Sequence, residues 1–195
     1  MHSQVFLVRH GETAWTLSGQ HTGLTDLPLT PAGEAQARRL APSLKQIPFQ
    51  AIYCSPLLRA KRTCELAGFS SQAQLTPDAV EWNYGAYEGL TSEQIRKKNP
   101  TWNLFTQGAP EGESPQDIAQ RADHLIEKCL AHKGPVALFS HGHFLRVFAL
   151  RWISLDLSAG EHFTLSVASL SILGFEHDKR VLQLWNQLVK IKTIQ

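Results

Sequence analysis

The chain is short of cysteine, of charge and of long apolar runs. Three cysteines, Cys54, Cys64 and Cys129, stand among 195 residues. An odd count with no close pair excludes a disulfide framework and suits a reducing, cytoplasmic setting. Only 18% of the residues are charged, against a usual share of about 25%. With 43% apolar residues, that excludes an intrinsically disordered chain. The 19 basic and 17 acidic side chains leave a net charge of +2. Such a balance argues against sequence-independent nucleic-acid binding. No apolar run approaches the length of a membrane span. Met1-His2-Ser3-Gln4 leads through a short apolar run to Arg9-His10, without the plan of a signal peptide. Internal repeats and low-complexity tracts are also absent. What is present is enough chain for one domain over 1–195, burying roughly 70% of its unfolded surface, and nine histidines.

Short apolar runs alternate with helical patterns. Gln4–Val8, Ala51–Cys54 and Pro135–Phe139 are continuous rather than alternating, as in strands buried on both faces. Thr30-Pro31 opens a helix, with Thr as N-cap and Pro at the first position. Ala37, Leu40, Ala41 and Leu44 form its apolar face. Ser55-Pro56 repeats that signal and predicts a helix to about Ala67. Thr91-Ser-Glu-Gln94 and Ser114-Pro-Gln-Asp117 are capping boxes. The first opens a short helix before Pro100; the second opens a longer one that Gly134 is expected to close. Gly142 to about Ser154 reads as helix. From His162 to Leu188 two strands are expected, joined near His177-Asp178. This order predicts an α/β three-layer sandwich, a mostly parallel sheet with helices on both faces. The aromatic, Gly- and Pro-rich stretch at about 82–113 reads as an insertion over one end of the sheet.

Each buried strand runs into unusual polar residues. These are Arg9-His10-Gly11-Glu12-Thr13, Ser55-Pro-Leu-Leu-Arg59 and Ser140-His141-Gly142-His143. Open α/β sheets bind ligands at the carboxyl ends of their strands. Arg9, His10, Arg59 and His141 should therefore converge on one pocket. Two guanidiniums match phosphate oxygens with their forked donors. Gly11 and Gly142 allow close backbone approach, and the helix opening at Gly142 favours an anion. A phosphate monoester is the natural occupant.

Taken together, Leu7-Val-Arg-His-Gly-Glu-Thr13, Ser55-Pro-Leu-Leu-Arg-Ala-Lys-Arg-Thr63, Glu81-Trp-Asn-Tyr-Gly-Ala-Tyr-Glu-Gly-Leu-Thr91 and Ser140-His-Gly-His-Phe-Leu-Arg146 resemble the signatures of the histidine phosphatase superfamily. That family is also called phosphoglycerate-mutase-like. The resemblance implies that His10 is the nucleophile and carries a phosphohistidine. It implies that Arg9 and Arg59 clamp the phosphoryl oxygens and that His141 donates to them. It makes Glu81 the acid that protonates the leaving oxygen and then the base that activates water. Thr22 and Gly23 match a loop that touches the phosphate. Thr16 replaces a common asparagine, so its hydroxyl can supply one of two amide contacts. Gly142 completes the implied substrate contacts. Glu88 is read as a partner for backbone or a basic group, His21 and His143 either as residues at the pocket mouth or as supporting polar residues, and Trp82, Tyr84 and Trp102 either as its aromatic wall or as core. The resemblance implies no metal and no cofactor.

Mutases of this family carry extra basic residues after the Glu motif. Thr101–Glu113 contains no Lys or Arg here, and Gln107-Gly-Ala-Pro-Glu-Gly-Glu113 is acidic. The expected activity is therefore a metal-independent phosphomonoesterase, an acid phosphatase of sugar-phosphate or broad specificity. The alternative is a cofactor-dependent phosphoglycerate mutase. The motifs look most like the acid phosphatase and sugar-bisphosphatase branch. An acidic optimum is expected, because Glu81 has to carry a proton for the first step. The expected partner is a small phosphorylated substrate, with no nucleic acid and no membrane; the resemblance favours a homodimer.

Overall fold

A computed structural model describes residues 3–189; Met1, His2 and 190–195, including the Lys190 end of the last apolar stretch, lie outside the described residues. The elements are β1 (Val5–Arg9), α1 (Ala14–Ser18), α2 (Pro31–Leu44), β2 (Ala51–Cys54), α3 (Leu58–Leu66), β3 (Ala73–Leu75), α4 (Ser92–Lys98), α5 (Leu104–Gln107), α6 (Pro115–Leu130), β4 (Val136–Ser140), α7 (Gly142–Trp152), β5 (Ser169–Glu176) and β6 (Lys179–Leu188), besides three short 3₁₀ turns. The strands form one sheet in the order β3-β2-β4-β1-β5-β6. The pairs β1–β4, β2–β4 and β2–β3 are parallel, and β5 runs antiparallel to β1 and β6.

Side chains alternate across a strand, and here that alternation sorts the core into two layers. Val5, Leu7, Tyr53, Val136 and Leu138 pack with α6 and α7 on one face. Phe6, Val8, Ile52, Cys54, Ala137 and Phe139 pack with α2 and α3 on the other. The expected three-layer α/β sandwich is what forms. Trp82, Tyr84, Ile95, Trp102, Leu104 and Phe105, from the 82–113 stretch, join the α6/α7 layer. The three cysteines are free and buried. Among the described residues no helix is long and apolar enough to cross a membrane.

The helix starts at Thr30, Thr91 and Ser114 form as read, each cap oxygen accepting a backbone N–H. Three boundaries differ. Helix α3 begins at Leu58, not at Ser55-Pro56, and its first N–H donates to Asp26 Oδ1 at 2.6 Å. Helix α6 ends at Leu130, and Gly134 lies beyond it, close against Gln50. The first strand of the last pair starts at Ser169, not near His162. The turn at His177-Asp178 falls where expected. Strand β3 and helices α1 and α5 span only three to five residues, too few for a periodic pattern to show.

Candidate active site

Parallel pairing of β1 with β4 sets Arg9 beside Ser140. The chain therefore delivers Arg9-His10 and His141-Gly142 side by side at the carboxyl edge of the sheet. His10 is 4% exposed. Its Nδ1 lies 2.7 Å from the Gly11 carbonyl oxygen. That acceptor fixes the proton on Nδ1 and leaves a lone pair on Nε2. Burial, reinforced by the charges of Arg59 and Arg9, holds the imidazole pKa well below its usual 6.5. His10 is thus a neutral, oriented imidazole on the wall of a cavity of about 330 Å³.

Arg9, Glu81, Tyr84 and Arg146 share that wall. Arg9 Nη1 donates to the Leu165 carbonyl. Its Nε is buried without a partner, and no bond is made by Nη2 to any described residue. The guanidinium lies over Gly142, where an added Cβ would sit 3.1 Å from Cζ. Gly11 has a similar reason: a Cβ there would meet the Gly33 carbonyl at 2.4 Å. Both glycines serve close packing within the chain itself.

Glu81 occupies the helix end that the sequence assigned to a bound anion. Its Oε1 accepts from Phe144 N at 2.8 Å and from Trp82 N at 2.9 Å, and Oε2 accepts from His143 N at 3.0 Å. The carboxylate thus satisfies two N–H groups of the first turn of α7 and faces its dipole. Two acceptances fill Oε1; Oε2 keeps a lone pair free for a proton.

Arg59 and His141 stand one layer back from where they were expected. Neither reaches the cavity wall. Arg59 is fully buried and donates to Thr25 O (3.0 Å), Thr22 O (3.0 Å), Gly23 O (2.8 Å) and His141 Nδ1 (3.2 Å). Because His141 Nδ1 accepts, its Nε2 carries the proton and donates to Ser55 Oγ at 2.7 Å. Burial first, then Arg59, keeps that ring neutral, well below the usual 6.5. The pair buttresses the 22–25 loop and the His10 ring, whose centroid is 5.2 Å from that of His141. Four of the five Arg59 N–H donors and the one His141 N–H are engaged internally.

Thr16 and Thr22 line the cavity. The Thr16 hydroxyl, however, donates to Thr13 O at 2.8 Å and closes the cap of α1. Gly23 N donates to Glu88 Oε1 at 2.8 Å, and Thr25 N to the same oxygen at 3.2 Å. Glu88 is thus a backbone partner, as read, and the Gly23 N–H is not left for a ligand. A Cβ on Gly23 would meet Trp82 O at 2.6 Å.

Arg146 was not singled out, although it lies four residues after Gly142 on α7 and so shares its face. Its Nη1 donates to Phe163 O at 2.8 Å, and its guanidinium lies 4.9 Å from the Phe105 ring centre. Tyr84 Oη sits 2.5 Å from His143 Nδ1. His143 is held neutral, its pKa well below 6.5 through burial and then Arg146 and His21. The tautomer of that neutral ring sets the direction of the bond. His21 stacks against Tyr84, Trp102 and His143, and burial with Arg146 and Arg96 lowers its pKa to about 4. Among the described residues no three His, Cys, Asp or Glu are grouped to hold a metal ion.

The family model of the histidine phosphatase superfamily (branch 1) matches residues 5–188. An acid phosphatase of Mycobacterium tuberculosis is 41% identical over 183 residues, 92% of this chain and 90% of that protein. A sedoheptulose 1,7-bisphosphatase of Saccharomyces cerevisiae is 36% identical, covering 77% of this chain and 68% of that one. The solved structure of an open-reading-frame product of Mycobacterium tuberculosis superposes with a TM-score of 0.93 at 39% identity, over 97% of this chain and all of that one. The chain belongs to the histidine phosphatase superfamily.

Proposed function

We propose that this protein hydrolyses small phosphate monoesters through a phosphohistidine on His10, without a metal ion. The observation that carries the reading is the His10–Gly11 bond, which leaves Nε2 unprotonated on a cavity shared with two arginines and a carboxylate. Relatives named as an acid phosphatase and a bisphosphatase support hydrolysis. The acidic, Lys- and Arg-free stretch before α6 disfavours a mutase, which has to hold a second anionic group through the exchange.

In the first step the Nε2 lone pair attacks phosphorus. The ester P–O bond breaks, and its electron pair leaves on the alcohol oxygen. A proton on Glu81 Oε2 goes to that oxygen. Arg9, with donors to spare, and Arg146 stabilise the equatorial oxygens. In the second step Glu81 takes a proton from water, the new oxygen bonds to phosphorus, and the N–P electron pair returns to Nε2. Inorganic phosphate leaves. Arg59 and His141 keep the His10 ring and the 22–25 loop in place. The two guanidiniums supply the positive field that a metal supplies elsewhere.

The test is phosphate release, with chelator present, from p-nitrophenyl phosphate, sugar mono- and bisphosphates and 3-phosphoglycerate between pH 4 and 8. Release from the panel without isomerisation of 3-phosphoglycerate is expected. Bisphosphate-primed isomerisation without release would overturn the reading in favour of a mutase. Loss of activity on chelation would overturn metal independence alone.

A further inference from the structure

Residues 78–81 form the strap that carries Glu81 to the cavity. Four consecutive backbone carbonyls along it are held by side chains from other elements. Arg121 Nη1 donates to Asp78 O at 2.8 Å and to Val80 O at 3.1 Å, and its Nη2 donates to Glu81 O at 3.3 Å. Ser140 Oγ, at the end of β4, donates to Ala79 O at 2.7 Å. Arg121 is held in turn by Glu113, whose Oε1 accepts from Nε at 2.6 Å and whose Oε2 accepts from Nη2 at 2.9 Å. Glu113 also grips the far side of the strap: Oε2 accepts from Asn83 N at 2.9 Å, and its carbonyl accepts from Trp82 Nε1 at 2.9 Å. The Arg121 guanidinium lies over the Phe144 ring at 5.0 Å, and Phe144 N is one of the donors to the Glu81 carboxylate.

We infer that Arg121, clamped by Glu113, is a positioning residue for the general acid. It does not line the cavity and touches no reacting atom. A forked, planar donor bidentate to a carboxylate is rigid, and here the same fork fixes the backbone on which Glu81 stands. Glu81 is drawn from the strap to the helix end by two N–H groups of α7. The clamp sets the strap's distance from that helix. An error of about 1 Å in a proton donor costs up to about 10²-fold in rate. This inference rests on Glu81 being the acid of the proposed hydrolysis.

The experiment compares two esters whose leaving groups differ. p-Nitrophenolate leaves without a proton, whereas the alkoxide of β-glycerophosphate needs one. The value kcat/KM reports the step in which the leaving group departs. Arg121→Gln should lower kcat/KM for β-glycerophosphate about 10–100-fold and for p-nitrophenyl phosphate by a much smaller factor. Glu113→Gln should show the same pattern more weakly. Glu81→Gln is the reference: it should show the largest discrimination, and adding Arg121→Gln to it should cost little more. Equal losses on both esters in Arg121→Gln and Glu113→Gln would overturn the inference and leave Arg121 a stabilising residue. If Arg121→Gln does not fold, Arg121→Lys, which keeps the charge and loses the fork, carries the same comparison. A Glu81→Gln enzyme that treats both esters alike would overturn Glu81 as the acid, and this inference with it. A wild-type enzyme that cleaves neither ester would overturn the hydrolase reading itself.

Discussion

At the scale of single residues, the chemistry turns on which atoms are left without partners. His10 spends Nδ1 on the Gly11 carbonyl and keeps Nε2 free for the proposed attack on phosphorus. His10→Ala should reduce phosphate release to background while far-UV circular dichroism stays unchanged; retained activity would mean another residue is the nucleophile. Glu81→Gln keeps the shape but loses the transferable proton. It should lower kcat/KM for alkyl phosphates by about 10²–10⁴-fold, the usual contribution of a general acid. The acid side of the pH profile follows from His10. Because His10 stays neutral well below pH 6.5, protonation of the nucleophile should not limit kcat/KM in mildly acidic buffer. His10 was legible because strand ends announce themselves: an apolar run stops, and the next residue points at the ligand edge; Glu81 follows a 3₁₀ turn and not a strand, and only the family resemblance pointed to it. What lies one layer behind was not legible. Arg59 and Arg9 look alike in a motif, yet one spends four of its five donors on the fold and the other spends one.

At the scale of elements, the site is a set of close approaches between pieces far apart in the chain. The loop after β1 crosses the first turn of α2 so tightly that a Cβ on Gly33 would lie 2.2 Å from the Glu12 carbonyl. Neither backbone can yield without moving a packed element. Gly33→Ala should therefore cost about 1–3 kcal/mol, the usual penalty for overpacking, read as a lower urea midpoint with an unchanged slope. An unchanged midpoint would show that α2 slides freely on that loop. Caps and periodicity made α2, α4 and α6 readable in advance, since a Thr or Ser hydroxyl bonding its own first turn is a local event. The start of α3 was misread because its cap comes from Asp26, 32 residues upstream. The first turn of α7 was misread for the same reason: its anion is Glu81, from another part of the chain. Local sequence shows that a helix end needs a partner and does not show which distant side chain supplies it.

At the scale of the whole molecule, folding gathers four histidines and keeps them neutral. His10, His141 and His143 are pushed well below 6.5 by burial, and His21 to about 4. In the unfolded chain each takes up a proton near pH 6.5. Between that pH and the lower folded value, the unfolded state binds more protons than the native one. Stability therefore rises with pH through this window and is lost as pH falls from about 6.5. The acid limit of activity should then be set by unfolding and not by loss of the nucleophile. Each fully neutral buried histidine contributes at most about 1.4 kcal/mol per pH unit to the slope. His21 packs against His143 and helps to lower its pKa, so its substitution reads the share of this pair. Urea unfolding of the wild type at pH 7.5 and pH 5 should show lower stability at pH 5, and His21→Gln should show a shallower fall between the two. If inorganic phosphate, the product of the proposed reaction, binds the folded cavity, it should raise the midpoint at both values. If stability is flat from pH 7.5 to 5, the four rings are not neutral together, and the unprotonated His10 on which the proposed attack depends is lost with them.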